Sequence, residues 1–97
     1  MNICAMRIGD HAADQYTERV LHQRVVTEDA HVLKAQRSRA KGCIAARMRS
    51  AELLETGVHD GCPQRVWRLA GCIATEKNDC ITTILTTQMF ERGLRSD

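Results

Sequence analysis

Three side chains near the N-terminus have types that could together cleave RNA. His11, Tyr16 and Arg19 fall within one predicted helix of this 97-residue chain. Metal-free RNA cleavage needs a base for the 2′-hydroxyl, an acid for the leaving oxygen and a cation for the phosphate. His11, Tyr16 and Arg19 are the candidate catalytic residues for these roles. Thr82 or Thr83 could contact the phosphate from a later strand.

The spacing of the three residues also allows a purely structural interpretation. His11 and Arg19 are two helical turns apart, ~12 Å along the axis, so they could grip one phosphate only through long side chains. In the structural interpretation His11 caps the helix, Tyr16 is half-buried, and Glu18 and Arg19 lie on a solvated face. We favour this interpretation, because catalysis makes more demands than the spacing meets.

A short strand or extended lead-in is predicted over residues 3–8, and the helix that carries His11, Tyr16 and Arg19 follows it. Asp10 is a suitable N-cap, since its carboxylate can accept hydrogen bonds from the free backbone N–H groups at a helix start. The helix is predicted to begin at His11 and to end near Arg24.

A long helix, or two consecutive helices, is predicted between Thr27, a candidate N-cap, and Glu55, because no proline interrupts this stretch. Gly42 is its weak point. Glycine costs about 1 kcal/mol against alanine in a helix interior, so a kink or break is expected there. Gly57 is placed to end the helix in a left-handed conformation. The predicted buried face consists of Leu33, Ala40, Ile44 and Ala51.

The last part of the chain is predicted to be β structure. Residues 57–63 read as a loop, because they hold two glycines and the single proline of the chain. Residues 64–90 contain two runs rich in Val, Ile, Thr and Trp around a polar stretch, which is typical of an antiparallel hairpin. Residues 91–97 read as a frayed tail.

These elements predict one domain over residues 1–97, with residues 1–56 mainly helical. The fold class is α+β, in which two or three helices, one of them long and basic, pack on a small antiparallel hairpin or three-stranded sheet.

The long helix is basic although the whole chain carries a net charge of only +2. Such a surface could neutralise phosphates or bind an acidic partner, and a solvated face is the simpler alternative. It lacks the aromatic residues that stack on single-stranded RNA. The candidate partner- or nucleic-acid-binding residues are Lys34, Arg37, Arg39, Lys41, Arg47 and Arg49.

The five cysteines are scattered without a C-x-x-C pair, which favours free thiols that pack as small hydrophobes. His59 and Cys62 could be combined with Cys72 and Cys80 into a zinc site. The spacing fits no common ligand pattern, however, and the last two fall inside the predicted hairpin. We therefore expect no metal and no cofactor.

The loop proline and the residues after it allow two further hypotheses. Pro63 and Trp67 are candidate contacts for a partner, because exposed loops often carry binding residues, although an ordinary loop proline is the simpler interpretation. A helix-turn-helix around this loop is the least favoured alternative, because H-D-G-C-P is too long for the usual turn.

No apolar run approaches the ~18 residues that a membrane span needs, and no signal-peptide pattern opens the chain. We therefore expect a cytoplasmic protein that makes no contact with membranes.

The opening of the chain resembles that of a group of small bacterial and phage domains of unknown function. Their opening reads roughly R-I-S-x-H-A-x-x-R-Y-x-E-R, and this chain has R-I-G-D-H-A-A-D-Q-Y-T-E-R at Arg7–Arg19. Their closing β-branched strand is similar to I-T-T-I-L at Ile81–Leu85. The group is thought to be distantly related to the RelE and colicin D type of ribonuclease, in which helices pack against a small antiparallel sheet. The resemblance covers the opening segment and the final hairpin, and it leaves the basic helix unaccounted for.

Gln15 departs from this pattern, because the resembling group tends to carry an arginine there. The change removes a cation that could hold a phosphate and weakens the prediction of a nuclease. We therefore expect a small phage or mobile-element accessory protein that binds and modulates a host complex, such as a nuclease or defence machine, without catalysis of its own. A RelE or colicin D type ribonuclease acting on tRNA or mRNA is the alternative. A host protein is the expected partner and RNA or DNA the alternative, while the oligomeric state stays open.

Overall fold

The protein has an α+β fold of three helices and a five-stranded sheet, which confirms the predicted fold class. The computed structural model describes residues 6–93. The chain begins with strand β1 (Arg7–Ile8) and helices α1 (Asp10–Arg19) and α2 (Ala30–Met48). There follow strands β2 (Glu52–His59), β3 (Cys62–Leu69), β4 (Cys72–Lys77) and β5 (Cys80–Leu85), and the short helix α3 (Thr87–Glu91).

The sheet is larger than the predicted hairpin or three-stranded sheet. Its strands lie in the order β1-β5-β4-β3-β2. The strands from β2 to β5 form an antiparallel meander, and β1 pairs in parallel with β5, where Arg7 lies opposite Cys80. The parallel pair places α1 directly beside β5.

The prediction that the second helix continues to Glu55 is wrong. Helix α2 ends at Met48, and residues 52–59 form β2, which pairs with β3 along its whole length. The sequence A-E-L-L-E has adequate helix propensity, but the ladder of hydrogen bonds to β3 and the contacts across it override this local preference. Gly57 lies inside this strand instead of ending a helix.

The predicted loop over residues 57–63 shrinks to a turn at Asp60 and Gly61. Both residues have positive φ, 52° and 77°, which suits a tight hairpin turn. Pro63 is therefore a residue of β3 and not of a loop.

The predicted hairpin over residues 64–90 is also wrong, because Ala70 and Gly71 break its first run between β3 and β4. The expected polar stretch does contain the next turn, at Asn78 and Asp79. Helix α3 was not anticipated, although Thr86 caps it by accepting a hydrogen bond from a backbone N–H. Residues 3–5 of the predicted lead-in and 94–97 of the predicted tail lie outside the described residues.

The helix boundaries differ from the predicted ones by a few residues. Helix α1 begins at Asp10, so its N-cap is Gly9 and not the predicted Asp10, and no described side chain caps it. The helix ends at Arg19 instead of Arg24. The side chain of Asp29, not that of Thr27, caps α2 by accepting hydrogen bonds from two backbone N–H groups. No helix among the described residues is both long and apolar enough to span a membrane.

Helix α2 continues through Gly42 without the predicted kink. It runs for 19 residues, and on either side of the glycine Ala40 and Ile44 are fully buried. Packing of this face against the rest of the protein supplies most of the helical stability, so one exposed glycine is tolerated.

The main core lies between the two long helices and one face of the sheet. Ala40 and Ile44 of the predicted helical face enter it together with Met48, whereas Leu33 and Ala51 are only half-buried. The opposite face of the sheet carries a smaller apolar cluster, which α3 covers at one end. This cluster consists of Val66, Ile73 and Leu85, with Leu54, Met89 and Phe90 packed against it.

Candidate functional site

Two side chains of α1 complete the edge of β5. Strand β1 pairs with β5 only at Cys80 and Ile81, so no described strand lies beside β5 farther along this edge. There, the Gln15 Oε1 atom accepts a hydrogen bond of 2.7 Å from the backbone N–H of Ile84. The Arg19 Nη1 atom donates one of 2.6 Å to the carbonyl oxygen of the same residue. The side chains of α1 thus satisfy backbone groups that would otherwise be an open sheet edge.

The other two candidate catalytic residues differ in accessibility. His11 is exposed, and its Nε2 atom lies 3.0 Å from the amide nitrogen of Gln15. Tyr16 is completely buried, and burial raises the pKa of its phenol. Its hydroxyl forms no hydrogen bond within the described residues. A substrate could reach this phenol only if the helices separated from the sheet, so His11, Tyr16 and Arg19 do not line one accessible surface.

Three of the six predicted binding cations make contacts within the protein. Arg37 donates two hydrogen bonds of 2.9 Å to the carboxylate of Asp14. The Lys41 ammonium lies 2.7 Å from Asp10, and its hydrogen bond lowers the pKa of that carboxyl group. The Arg47 guanidinium lies 5.9 Å from the centre of the buried tyrosine ring. These cations join α2 to α1.

The other three cations, Lys34, Arg39 and Arg49, are exposed, and no ion pair with another described residue is found for them. Arg39 lies at the rim of a groove of about 350 Å³ between α2 and the chain that follows α1. The apolar part of this groove consists of Leu21, Val32 and Ala35. The sequence did not indicate it, because Leu21 comes from outside the α2 helix.

Trp67 and Pro63 both belong to β3, but Trp67 is buried and Pro63 is exposed. Trp67 is buried, and its indole N–H donates a hydrogen bond to Glu76. The Arg65 guanidinium lies 5.7 Å from the indole centre and 2.6 Å from the same carboxylate. Pro63 is exposed and lies opposite Val58 of the outer strand. Of the two predicted partner contacts, only Pro63 is therefore on the surface.

The residues considered for zinc do not converge. Cys62 begins β3, whereas Cys72 pairs with Leu69 at the far end of the same strand. Burial raises the pKa of the Cys72 thiol to about 11, so it is protonated at neutral pH. No group of three or more His, Cys, Asp or Glu residues that could hold a metal occurs in residues 6–93.

Comparison of the chain with protein-family models, curated proteins and solved structures finds no match. The resemblance of Arg7–Arg19 to small bacterial and phage domains of unknown function, and through them to the RelE and colicin D type, therefore stays a prediction. The chemistry of the exposed surface is the basis on which a function can be proposed.

Proposed function

We propose that this protein is a non-catalytic binding protein that docks on an acidic surface of a partner protein through the outer side of α2. The observation that carries the proposal is the apolar groove of Leu21, Val32 and Ala35 with Arg39 at its rim. Protein interfaces combine an apolar anchor in a pocket with arginine more often than other surfaces do. The exposed Lys34 and Arg49 would steer an acidic partner toward the groove.

The use of the α1 side chains supports a role without catalysis. Gln15 and Arg19 hold the edge of β5, and Tyr16 fills the core. All three therefore have structural roles that explain their presence. The partner we propose is a component of a host complex, such as a nuclease or defence machine, which a phage or mobile-element accessory protein would modulate.

The test compares two charge reversals of equal net change. The tagged protein is used to capture partners from a bacterial lysate, with and without nuclease treatment, and the affinity for each captured partner is then measured. Lys34→Glu with Arg39→Glu is expected to weaken binding at least tenfold. Arg7→Glu with Arg92→Glu, at exposed positions away from the groove, is expected to leave it unchanged. Equal binding by both variants, or capture that requires intact nucleic acid, would contradict the proposal.

Arg37 and Lys41 are unsuitable for this test although they belong to the same basic helix. Reversing them would break their contacts with Asp14 and Asp10, so a loss of binding could result from a damaged helix pair. An independent variant is Ala35→Trp, which fills the groove without changing the charge. It should also abolish binding.

The alternative function is a ribonuclease of the RelE or colicin D type. It is favoured by the arrangement of two helices on one face of a mainly antiparallel sheet, which the resemblance implies. The purified protein is incubated with tRNA and with mRNA. His11 is exposed, so His11→Ala tests its role without disturbing the core. Absence of cleavage, or full cleavage by this variant, would count against these residue assignments.

A further inference from the structure

We propose that β2 is a dimerisation edge, which pairs antiparallel with β2 of a second copy of this chain. Strand β2 is the last of the five in the sheet and runs for eight residues. Its outer side has no strand neighbour among the described residues. The backbone groups that point outward are therefore available to another strand. This inference is independent of the function proposed for α2.

A bulge in β2 places Leu53 on the same face of the strand as Val58 and leaves Glu52 on the other face. The register with β3 shifts between Leu53 and Glu55, so Leu54 is the extra residue. As a result Leu53, Thr56 and Val58 point to the same side of the sheet. Their partners on β3 are the alternate residues Trp67, Arg65 and Pro63. The helices leave this part of the sheet uncovered, since Leu53 is 46% and Val58 75% exposed.

Leu53 and Val58 are placed symmetrically about Thr56. Because the bulged residue Leu54 has no partner in the ladder, each of the two is two paired positions away from Thr56. If a twofold axis passes through Thr56, Leu53 of each copy lies directly opposite Val58 of the other. Glu52 then lies opposite His59 of the other copy, which offers a hydrogen bond or an ion pair. Apolar pairs and complementary polar pairs directly opposite each other stabilise antiparallel strands. The twofold axis creates this Leu53–Val58 contact twice, once on each side of Thr56. The dimer thus buries the most exposed apolar residues of the edge in both copies.

Neighbouring registers lack this complementarity. With the axis at Glu55, two carboxylates would face each other, which is destabilising. With the axis at Gly57, Leu53 would have no strand partner. In the register centred on Thr56, by contrast, Glu55 lies opposite Gly57 of the other copy, where no side chain crowds it. Self-complementarity of this kind identifies a second copy of the chain as the occupant of the edge.

The dimer would join two five-stranded sheets into one and place both α2 helices on the same side of it. Two identical grooves would then be available to a partner complex that displays its binding surface more than once. The gain in avidity would arise without any new contact to the partner.

Analytical ultracentrifugation from micromolar to millimolar protein tests the proposal. The wild-type protein is expected to show a concentration-dependent monomer–dimer equilibrium. Thr56→Lys places two ammonium groups opposite each other on the axis and should raise the dimer dissociation constant at least tenfold. Thr27→Lys, at an exposed threonine outside the sheet, should leave it unchanged. Circular dichroism, and a denaturation midpoint equal to that of the wild type at a protein concentration at which both are monomeric, establish that each variant is folded.

Two further variants keep the test decisive if Thr56→Lys does not fold. Val58→Lys should also weaken the dimer, and because this side chain is largely exposed the monomer should tolerate it. Thr56→Cys should form a covalent dimer on mild oxidation faster than either Thr27→Cys or the wild type. A protein that is monomeric at all concentrations overturns the proposal. So does a dimer that both lysine variants leave intact, or a β2 edge that binds an unrelated extended peptide without self-association.

Discussion

The side-chain oxygen of Gln15 accepts a hydrogen bond from the backbone N–H of Ile84 over 2.7 Å, across a separation of 69 residues. Gln15 is the position at which the predicted resemblance to small bacterial and phage domains would lead us to expect an arginine. A guanidinium has no acceptor atom and could not receive this hydrogen bond. Glutamine at this position thus has a structural explanation, which is its attachment of α1 to β5.

Removing this acceptor should destabilise the protein. In Gln15→Leu the volume is nearly kept, but the N–H of Ile84 loses its partner in a site where Gln15 is itself buried. The free energy of unfolding should fall by about 1–3 kcal/mol, the cost of an unsatisfied buried donor. Urea denaturation measures the change. Gln15→Arg should be destabilised similarly, whereas Glu18→Gln on the exposed side of α1 should not. An unchanged midpoint in Gln15→Leu would show that the hydrogen bond contributes little.

Tyr16 should tolerate loss of its hydroxyl but not of its ring. The hydroxyl is buried without a hydrogen-bond partner among the described residues, so Tyr16→Phe should leave the free energy of unfolding unchanged or raise it by up to about 1 kcal/mol. Tyr16→Ala removes a fully buried ring and should cost about 3–5 kcal/mol. Thermal unfolding separates the two variants. If Tyr16→Phe abolished an RNA cleavage activity while remaining folded, the hydroxyl would have a catalytic role.

Glu76 should contribute strongly to the free energy of unfolding through its hydrogen bonds beside Trp67. Its side chain is only 3% exposed, and its carboxylate accepts hydrogen bonds from Arg65, Trp67 and the backbone N–H of Asp79. Glu76→Ala leaves the Arg65 guanidinium without its main partner and should cost about 3–5 kcal/mol. Glu91→Ala, at the exposed end of α3, serves as the control in the same denaturation experiment.

Replacing both charges should recover much of that loss. Glu76→Leu combined with Arg65→Met exchanges the ion pair for apolar side chains of similar size, which is often neutral. If the double variant were as unstable as Glu76→Ala, the polar network itself would be required for the fold.

Gly42→Ala should stabilise the protein. Gly42 is exposed in the middle of α2, and a Cβ atom built there would meet no atom within 4 Å. Alanine should therefore raise the free energy of unfolding by about 0.5–1 kcal/mol through its higher helix propensity. The thermal midpoint should rise by a few degrees. A fall would contradict the expectation that the added methyl group meets open space. Ala45→Gly in the next turn provides the reverse control.

The ion pair of Arg24 and Glu28 should make the free energy of unfolding depend weakly on pH in the acidic range. The hydrogen bonds from Arg24 lower the pKa of Glu28 from 4.5 to about 2. A carboxyl with a depressed pKa stabilises the folded state above its unfolded pKa, and this contribution is lost as the pH falls through the folded value. The difference in stability between the wild type and Glu28→Gln should therefore be constant from pH 7 to about 5, decrease as the pH falls further, and be lost only below about pH 2. Because both side chains are exposed, the difference should also shrink in high salt. A difference that persists undiminished below pH 2 would show that it does not arise from ionisation of Glu28.

Local patterns in the sequence were sufficient for the helical start of the fold and for part of its core. The α+β class followed from the order of helical and β-rich segments. Ala40 and Ile44 were found from helical periodicity alone, because residues that recur at this spacing share one side of a helix. The turn at Asn78 and Asp79 was likewise indicated by its polar composition. In each case the interactions that decide the structure join residues close together in the chain.

What the sequence could not determine depends on contacts between distant residues. Residues 52–59 became a strand because β3 was available to pair with them, not because of their own propensity. Arg37 was predicted to be a binding cation, whereas the tertiary structure places Asp14 of α1 beside it. From the sequence, Gln15 was interpreted as the loss of a catalytic cation, whereas the tertiary structure places it against β5, where it accepts a hydrogen bond from Ile84. Local propensity contains no information about which elements meet, so the sequence determined which side chains were present, and only the tertiary structure decided which of them were left to act on a partner.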